Sequence, residues 1–298
     1  MQNVATRGTA VTVIGLGAMG STLAGTLLER GYNITVWNRS AERAAGLVAR
    51  GAVLAPSAAQ AVAASPLTIM CVVDFAAANR ILTTPAVESA IRGRSLVQLT
   101  TGEGSQAREQ AKWARSCGAL YLTGGPQAWP RDIGKADTLF LYAGDRACFD
   151  QHAEPLAALA GDRRYLGNDA AIARIVSLAL GSVFVGGELG FFEGAAVAVA
   201  AGSSIEEFSS LALRMLDLLA NCIRDASRRI KEANYSGEQA SIDIYAAGRQ
   251  AVQGVYASSG VQSKIRDAYY DYLQQAQSAG KGSLDIAALF SVISASTK

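Results

Sequence analysis

Six residues constrain this chain more than any others: Gly15-Leu16-Gly17-Ala18-Met19-Gly20, a match to the G-x-G-x-x-G pattern. They follow a short apolar run, Val11-Thr12-Val13-Ile14, that predicts a buried parallel strand. Gly15 permits a tight turn off that strand, and Gly17 lets backbone N–H groups come close to a pyrophosphate. Gly20 lets the next helix pack tightly on the sheet. That helix, about Ala18 to Arg30, would aim the positive end of its dipole at the phosphates. Gly31 ends it, and Ile34-Thr35-Val36-Trp37 predicts a second strand. A glycine triplet alone fits a ligand-free turn. Strand, glycines, helix and second strand within about thirty residues imply a dinucleotide held by Gly15 through Gly20.

The end of the second strand bears on which dinucleotide. An acidic residue there holds the ribose 2′-hydroxyl of NAD, whereas an arginine accommodates the 2′-phosphate of NADP. This chain reads Asn38-Arg39-Ser40, with Arg43 one turn later and no carboxylate before Glu42. Arg39 and Arg43 can face a 2′-phosphate, with Asn38 and Ser40 offering hydrogen bonds. A cation near a helix N-terminus opposes the dipole unless an anion compensates it. NADPH is therefore the expected cofactor.

The chain has 298 residues, half of them hydrophobic, enough for one large or two ordinary domains. A net charge of +2 with no basic run argues against nucleic acid as a partner. The first eight residues, MQNVATRG, are too short and polar for a secretory signal. Cys71, Cys117, Cys148 and Cys222 are scattered and His152 is the single histidine, so no metal site is expected. The cysteine spacing suits a reducing cytoplasm better than a disulfide framework. His152 is read as structural or solvated.

Strands and helices go on alternating. Strands are predicted at Val53–Ala55, Leu67–Asp74, Ser95–Thr100, Leu120–Leu122 and Thr138–Tyr142. Helices are predicted from Ser57, from Ala76 and from Ser105. This is the pattern of a doubly wound α/β domain, spanning residues 1–167, whose ligand lies beyond the carboxyl ends of its strands. Val72, Val73 and Thr100 are thereby placed along the ribose and nicotinamide. Thr123-Gly124-Gly125-Pro126-Gln127-Ala128-Trp129-Pro130 reads as a stiff loop at the same edge, with Trp129 on a wall of the substrate pocket.

Residues 168–298 show no strand-like run. Residues 170–201 are almost wholly apolar, but Arg174, Glu188 and Glu193 divide them into runs shorter than the about 20 residues a membrane span needs. A buried helix is expected, with no membrane. Further helices are predicted at about 204–231, 239–259, 263–279 and 284–295, each with apolar residues at helical spacing.

An α/β domain joined by a long helix to an all-helical domain resembles the 6-phosphogluconate dehydrogenase and β-hydroxyacid dehydrogenase superfamily, and within it the NADPH-dependent imine reductases. The resemblance runs nearly end to end. It rests on Gly15 through Gly20, Trp37-Asn38-Arg39-Ser40, Gln98-Leu99-Thr100-Thr101-Gly102 and Gly124-Gly125 through Ile133-Gly134. It continues through Gly167-Asn168-Asp169-Ala170, Tyr235-Ser236-Gly237 and Ser241-Ile242-Asp243-Ile244-Tyr245. It implies an N-terminal Rossmann domain, a long inter-domain helix and a C-terminal all-helical dimerisation domain. It also implies a homodimer with interlocked helical domains, in which Tyr245 belongs to a wall supplied by the partner subunit.

The departures from that pattern shape the expected chemistry. Where hydroxyacid dehydrogenases carry a lysine on the long helix, this chain has Ala173, and the asparagine one turn on is replaced by Ser177. Arg174 cannot substitute, because an arginine is effectively never deprotonated. Imine reductases commonly place aspartate or tyrosine near Ser177. A serine hydroxyl is a poor acid at neutral pH but a serviceable hydrogen-bond partner. The expected reaction is NADPH-dependent reduction of a cyclic imine or iminium to the amine, in secondary metabolism. Ser177 orients the substrate nitrogen, and Tyr245, or else Tyr142, is the next proton donor. Trp129, Tyr245, Phe184, Phe191 and Phe192 could steady a cation through their ring faces, or simply pack. Two other readings remain open: a β-hydroxyacid or carbonyl reductase with an unusual proton donor, and a non-catalytic NADPH-binding protein.

Overall fold

The computed structural model describes residues 8–237 and 240–295. The first seven residues of the N-terminal stretch, and the start of the helix predicted from Gln239, lie outside the described residues. The chain divides into two compact units, Met1–Gly181 and Ser182–Lys298.

The first unit is built on one eight-stranded sheet in the order β3-β2-β1-β4-β5-β6-β7-β8. The strands are β1 (Ala10–Ile14), β2 (Asn33–Trp37), β3 (Val53–Leu54), β4 (Leu67–Met70), β5 (Ser95–Gln98), β6 (Leu120–Gln127), β7 (Leu139–Gly144) and β8 (Asp162–Tyr165). All neighbours run parallel except β6 and β7. Both faces of the central strands are covered, which is why β1, β4 and β5 are buried along nearly their whole length and read as largely apolar. Alternate residues feed opposite layers. Val11, Val13, Ile34, Ile69 and Val97 pack in one core cluster, and Ile14, Met70 and Leu96 in the other. Thr12, fully buried, satisfies its hydroxyl on the carbonyl of Ala61 at 2.7 Å.

Caps appear where the sequence offers them. The Ser57 hydroxyl accepts from Gln60 N, and the Asp74 carboxylate accepts from Ala77 N at 2.6 Å, at the starts of the Ala58–Ala63 and Phe75–Leu82 helices. Each such cap is worth about 1 kcal/mol. The first helix runs Ala18–Glu29, and Gly31 follows it at a φ of 84°, a left-handed turn that glycine makes without strain.

The structure bears on three local points. The loop predicted at Thr123–Pro130 is strand as far as Gln127, and pairs antiparallel with β7 from Leu122 to Gln127. Its two glycines mark close approach rather than a turn: a methyl on Gly124 would lie 2.3 Å from Leu99 Cδ2, and one on Gly125 2.9 Å from Ser177 Cβ. Of the two readings of His152, structural or solvated, the structural one holds: it is buried, joining the Arg146–Gln151 and Ala153–Leu159 helices, and burial lowers its pKa. Strand β8 was not anticipated. Its Asp162-Arg163-Arg164-Tyr165 is a charged, half-exposed edge of the kind that blunts strand addition.

The long helix runs Ala171–Ala200. Up to Gly181 it belongs with the first unit, where Ala171, Ala173 and Arg174 are buried. Beyond that point the expectation of a buried helix fails for this chain taken alone: Phe184 is 55 % and Phe192 56 % exposed. By length and composition the helix could cross a membrane, although it carries Arg174, Glu188 and Glu193.

In the second unit, the Ile205–Glu232 helix follows, capped by Ser204 and ended by Ala233 in the left-handed region. Gly194 lets that helix approach the long one: a methyl there would meet the Phe208 ring at 2.8 Å. The helix predicted to run to Ser259 breaks at Gly248 into Ile242–Ala247 and Arg249–Ser258. Ile242, Tyr270, Leu273, Ala276 and Ala288 form a small core. The Glu193 carboxylate accepts from Ile265 N at 3.1 Å, tying the long helix to the start of the Lys264–Ser278 helix.

Candidate active site

The strand order reverses at β1 and β4, so a crevice opens beyond their carboxyl ends, the place where open parallel sheets hold ligands. The glycine turn lies there. Gly15 sits at a φ of 94°, and a methyl on it would lie 2.2 Å from the Cys71 carbonyl oxygen. A methyl on Gly20 would lie 1.9 Å from the Gly15 carbonyl, so the helix can close on the turn only at a glycine. Gly17 differs. It has an ordinary φ of −73° and a methyl on it would meet nothing, so no packing within the chain requires glycine there. The space over Gly17 suits a pyrophosphate. No side chain caps the first helix and no acid stands in its first turn, which leaves the N–H groups of Ala18, Met19 and Gly20 to face an anion. The residues fit a dinucleotide.

Asn38 braces this turn. Its side-chain oxygen accepts from Leu16 N at 3.0 Å while its Nδ2 donates to the Ser40 carbonyl at 3.0 Å. Both bonds go to backbone, and the second N–H of Nδ2 is left over for a ligand. Arg39 and Arg43 are exposed and form no ion pair among the described residues, so two guanidinium groups stand uncompensated at the end of β2. Further along the edge, Val72 N donates to the Thr100 hydroxyl at 3.1 Å, linking the ends of β4 and β5. Thr100 is buried, and the Val73 side chain projects outward, 81 % exposed.

The β6 extension supplies the other wall. Its pairing with β5 ends at Thr123, so Gly124 to Gln127 continue past the end of that neighbour. Gly125 and Gln127 share a face, and that face meets the long helix at Ala173 and Ser177, one turn apart. Only small residues allow this contact. Gln127 Nε2 donates to Ser177 Oγ at 2.6 Å, with both side chains half-buried. A hydroxyl that accepts in this way keeps its own proton free to donate. Gln127 went unnoticed in the sequence because its partner lies fifty residues away and its segment reads as a loop.

Arg174 lies between these groups. It is 3 % exposed and donates from Nη1 to the Thr100 carbonyl at 2.9 Å and from Nη2 to the Gly124 carbonyl. Burial pushes its pKa below the ordinary guanidinium value, and burial also raises the neighbouring Cys71 thiol to about 11.

Of the remaining candidates, Tyr142 is no proton donor. It is fully buried under Gly124, burial raises its pKa, and its hydroxyl has no partner. Trp129 is 59 % exposed at the end of the β6 segment. Tyr245, in the second unit, is 41 % exposed and meets Tyr269 edge-on with ring centroids 6.5 Å apart. Phe191, half-buried, packs against Phe208 with ring centroids 5.9 Å apart. Among the described residues no His, Cys, Asp or Glu group could hold a metal.

Fold and crevice define a dinucleotide-dependent oxidoreductase of Rossmann type with a helical second unit. Comparison with known proteins is more specific. Residues 10–167 match the NAD binding domain of 6-phosphogluconate dehydrogenase, and residues 169–295 match the C-terminal domain of NADPH-dependent reductive aminase-like proteins. The chain is 32 % identical to an NADPH-dependent reductive aminase from Aspergillus oryzae, over 94 % of its own length and 95 % of that protein's. It superposes on an imine reductase from Pseudomonas sp. with a TM-score of 0.92 at 39 % identity, covering 96 % of this chain and all of that one. A reductive aminase from Aspergillus terreus, solved with NADPH4, cyclohexanone and allyl amine, gives a TM-score of 0.87 at 32 % identity, covering 96 % and 99 %. The chain belongs to the imine reductase and reductive aminase family of NADPH-dependent oxidoreductases.

Proposed function

We propose that this protein reduces the C=N bond of a cyclic imine or iminium to the amine with NADPH, and that Ser177 stands where an acid would otherwise serve. The observation that carries the reading is the 2.6 Å hydrogen bond from Gln127 to Ser177 Oγ, at the carboxyl edge beside Thr100 and Gly125. With its oxygen engaged, the Ser177 hydroxyl directs its proton outward, toward the lone pair of a substrate nitrogen. Hydroxyacid chemistry by the lysine route has no base here, because Ala173 occupies that position and is buried.

Gly15 through Gly20 hold the pyrophosphate, Arg39, Ser40 and Arg43 the 2′-phosphate, and Val72, Val73 and Thr100 the ribose and nicotinamide. NADPH, when bound, supplies the hydride. The chain contributes position: holding reacting groups in place accounts for much of the rate in sites of this kind, and Trp129 forms part of the pocket wall. Asn38 supports the turn and offers its remaining N–H to the phosphate.

Assembly is part of the same proposal. From Ser182 the long helix, together with the Ile205–Glu232 helix, exposes Phe184, Leu189, Phe192, Leu211, Met215 and Leu218, each between 45 % and 59 %. An apolar surface of this kind marks an interface, and a second copy of the chain is the occupant the family resemblance implies. Tyr245 of the partner then serves as the second hydroxyl at each site. A cytoplasmic setting, supported by four free cysteines, and a place in secondary metabolism complete the reading.

Replacing Ser177 by Ala and Tyr245 by Phe tests the assignments. We expect kcat to fall for each and further for the pair, with the cofactor KM unchanged. Unaltered turnover in the double variant removes both residues from the chemistry.

A further inference from the structure

The roles given above leave Arg174 aside, yet the fold buries it beside Thr100, Gly125 and Ser177. A methyl placed on Gly125 would touch Arg174 Nη2 at 3.1 Å and Ser177 Cβ at 2.9 Å, so the charge and the hydroxyl flank the same backbone. Both contacts from its terminal nitrogens go to neutral carbonyls, those of Thr100 and Gly124. Its Nε has no partner. Among the described residues no carboxylate pairs with it. Asp169, near it in sequence, is engaged with Arg108 at 2.6 Å. The ionisable groups beside it, the Cys71 thiol and the Tyr121 hydroxyl, are both held neutral by burial. The first turn of the long helix, where Arg174 lies, carries no acid; Asp169, just before it, accepts from Ala171 N at 3.1 Å and is shared with Arg108. A buried cation without a counter-charge is costly unless something outside the chain relieves it.

We infer that Arg174 sets the charge of the substrate: the site takes up imines that are neutral or carry a carboxylate, and disfavours permanently cationic iminium ions. The inference rests on the C=N reading above. It fits Ser177 acting as a hydrogen-bond donor, because a neutral imine nitrogen offers a lone pair and an N-alkylated iminium offers none. Two unit charges about 7 Å apart at an effective dielectric constant of about 20 alter relative affinity by about fiftyfold.

The test uses two variants, Arg174→Gln, which removes the charge, and Arg174→Lys, which keeps it. For each, kcat/KM is measured with a neutral cyclic imine and with its N-methylated iminium. We expect Arg174→Gln to shift the ratio about fiftyfold toward the cation, and Arg174→Lys to leave it within about threefold of wild type. A ratio unchanged in Arg174→Gln overturns the inference. Equilibrium binding to the NADPH-loaded wild-type enzyme decides independently of activity and of the variants' folding. Saturated ring compounds of one size are compared: a carboxylate, a neutral amide and a quaternary ammonium. The anion should bind tightest and the ammonium weakest, and equal or reversed affinities refute the role of Arg174. Should wild type turn over neither imine, the C=N reading fails while the binding order still decides the question of charge.

Discussion

Replacing Gln127 by Leu removes the group that fixes Ser177 while keeping the volume of the side chain. The bond is 2.6 Å long between half-buried partners. A neutral hydrogen bond of this kind contributes about 0.5–1.5 kcal/mol net. Its loss also frees the Ser177 side chain to sample about three staggered wells, of which the structure uses one. The two effects together should raise the barrier by about 1–2 kcal/mol, a fall in kcat of about 5–30-fold. The KM for NADPH should stay as it is, since Gln127 touches no cofactor residue named above. The decisive assay is a double-mutant cycle with Ser177→Ala, read by steady-state NADPH oxidation. If Gln127 works through Ser177, then Gln127→Leu costs nothing further once the hydroxyl is gone. An equal loss of kcat in the Ser177→Ala background would refute the reasoning and make Gln127 a packing residue.

Two further outcomes follow from the geometry. Changing Arg39 and Arg43 together to Ala should cut kcat/KM for NADPH by about 30–100-fold while altering NADH use by less than about threefold, because charge-assisted contacts to a phosphate are lost. The effect should shrink in high salt, since both groups are exposed; equal losses with both cofactors would remove the 2′-phosphate assignment. His152, the single histidine, is buried and its folded pKa is depressed by desolvation. The unfolded chain therefore takes up the proton first, and stability should fall as pH drops below the unfolded value of about 6.5. A His152→Gln variant that keeps the wild-type slope of melting temperature against pH in that window would contradict this.

The cofactor half of the molecule was legible because its determinants are local. Gly15 and Gly20 answer to steric contacts within a few residues or with the neighbouring strand, and Arg39 lies at the end of an obvious strand. The substrate half was less so. Gly124 and Gly125 carry two meanings, turn and close approach, and only the packing of Leu99, Tyr142 and Ser177 against them decides which. Gln127 and Arg174 find their partners across fifty or more residues, so no periodicity announces them. The sequence offers Tyr142 as an alternative proton donor, and the alternation that places it under Gly124 depends on strand β6 extending beyond β5. The long helix reads as buried on composition alone. Its apolar face beyond Gly181 is exposed in the single chain, because hydropathy reports apolarity and not burial.

The most direct measurement is product analysis with NADPH carrying deuterium at the transferable C4 position and a neutral cyclic imine as substrate. The account predicts stoichiometric cofactor oxidation and a cyclic amine bearing one deuterium on the former imine carbon. It predicts no reduction of NADP+ by hydroxyacids under the same conditions. Amine without deuterium, or hydroxyacid oxidation in place of imine reduction, would contradict the assignment of C=N reduction to this site.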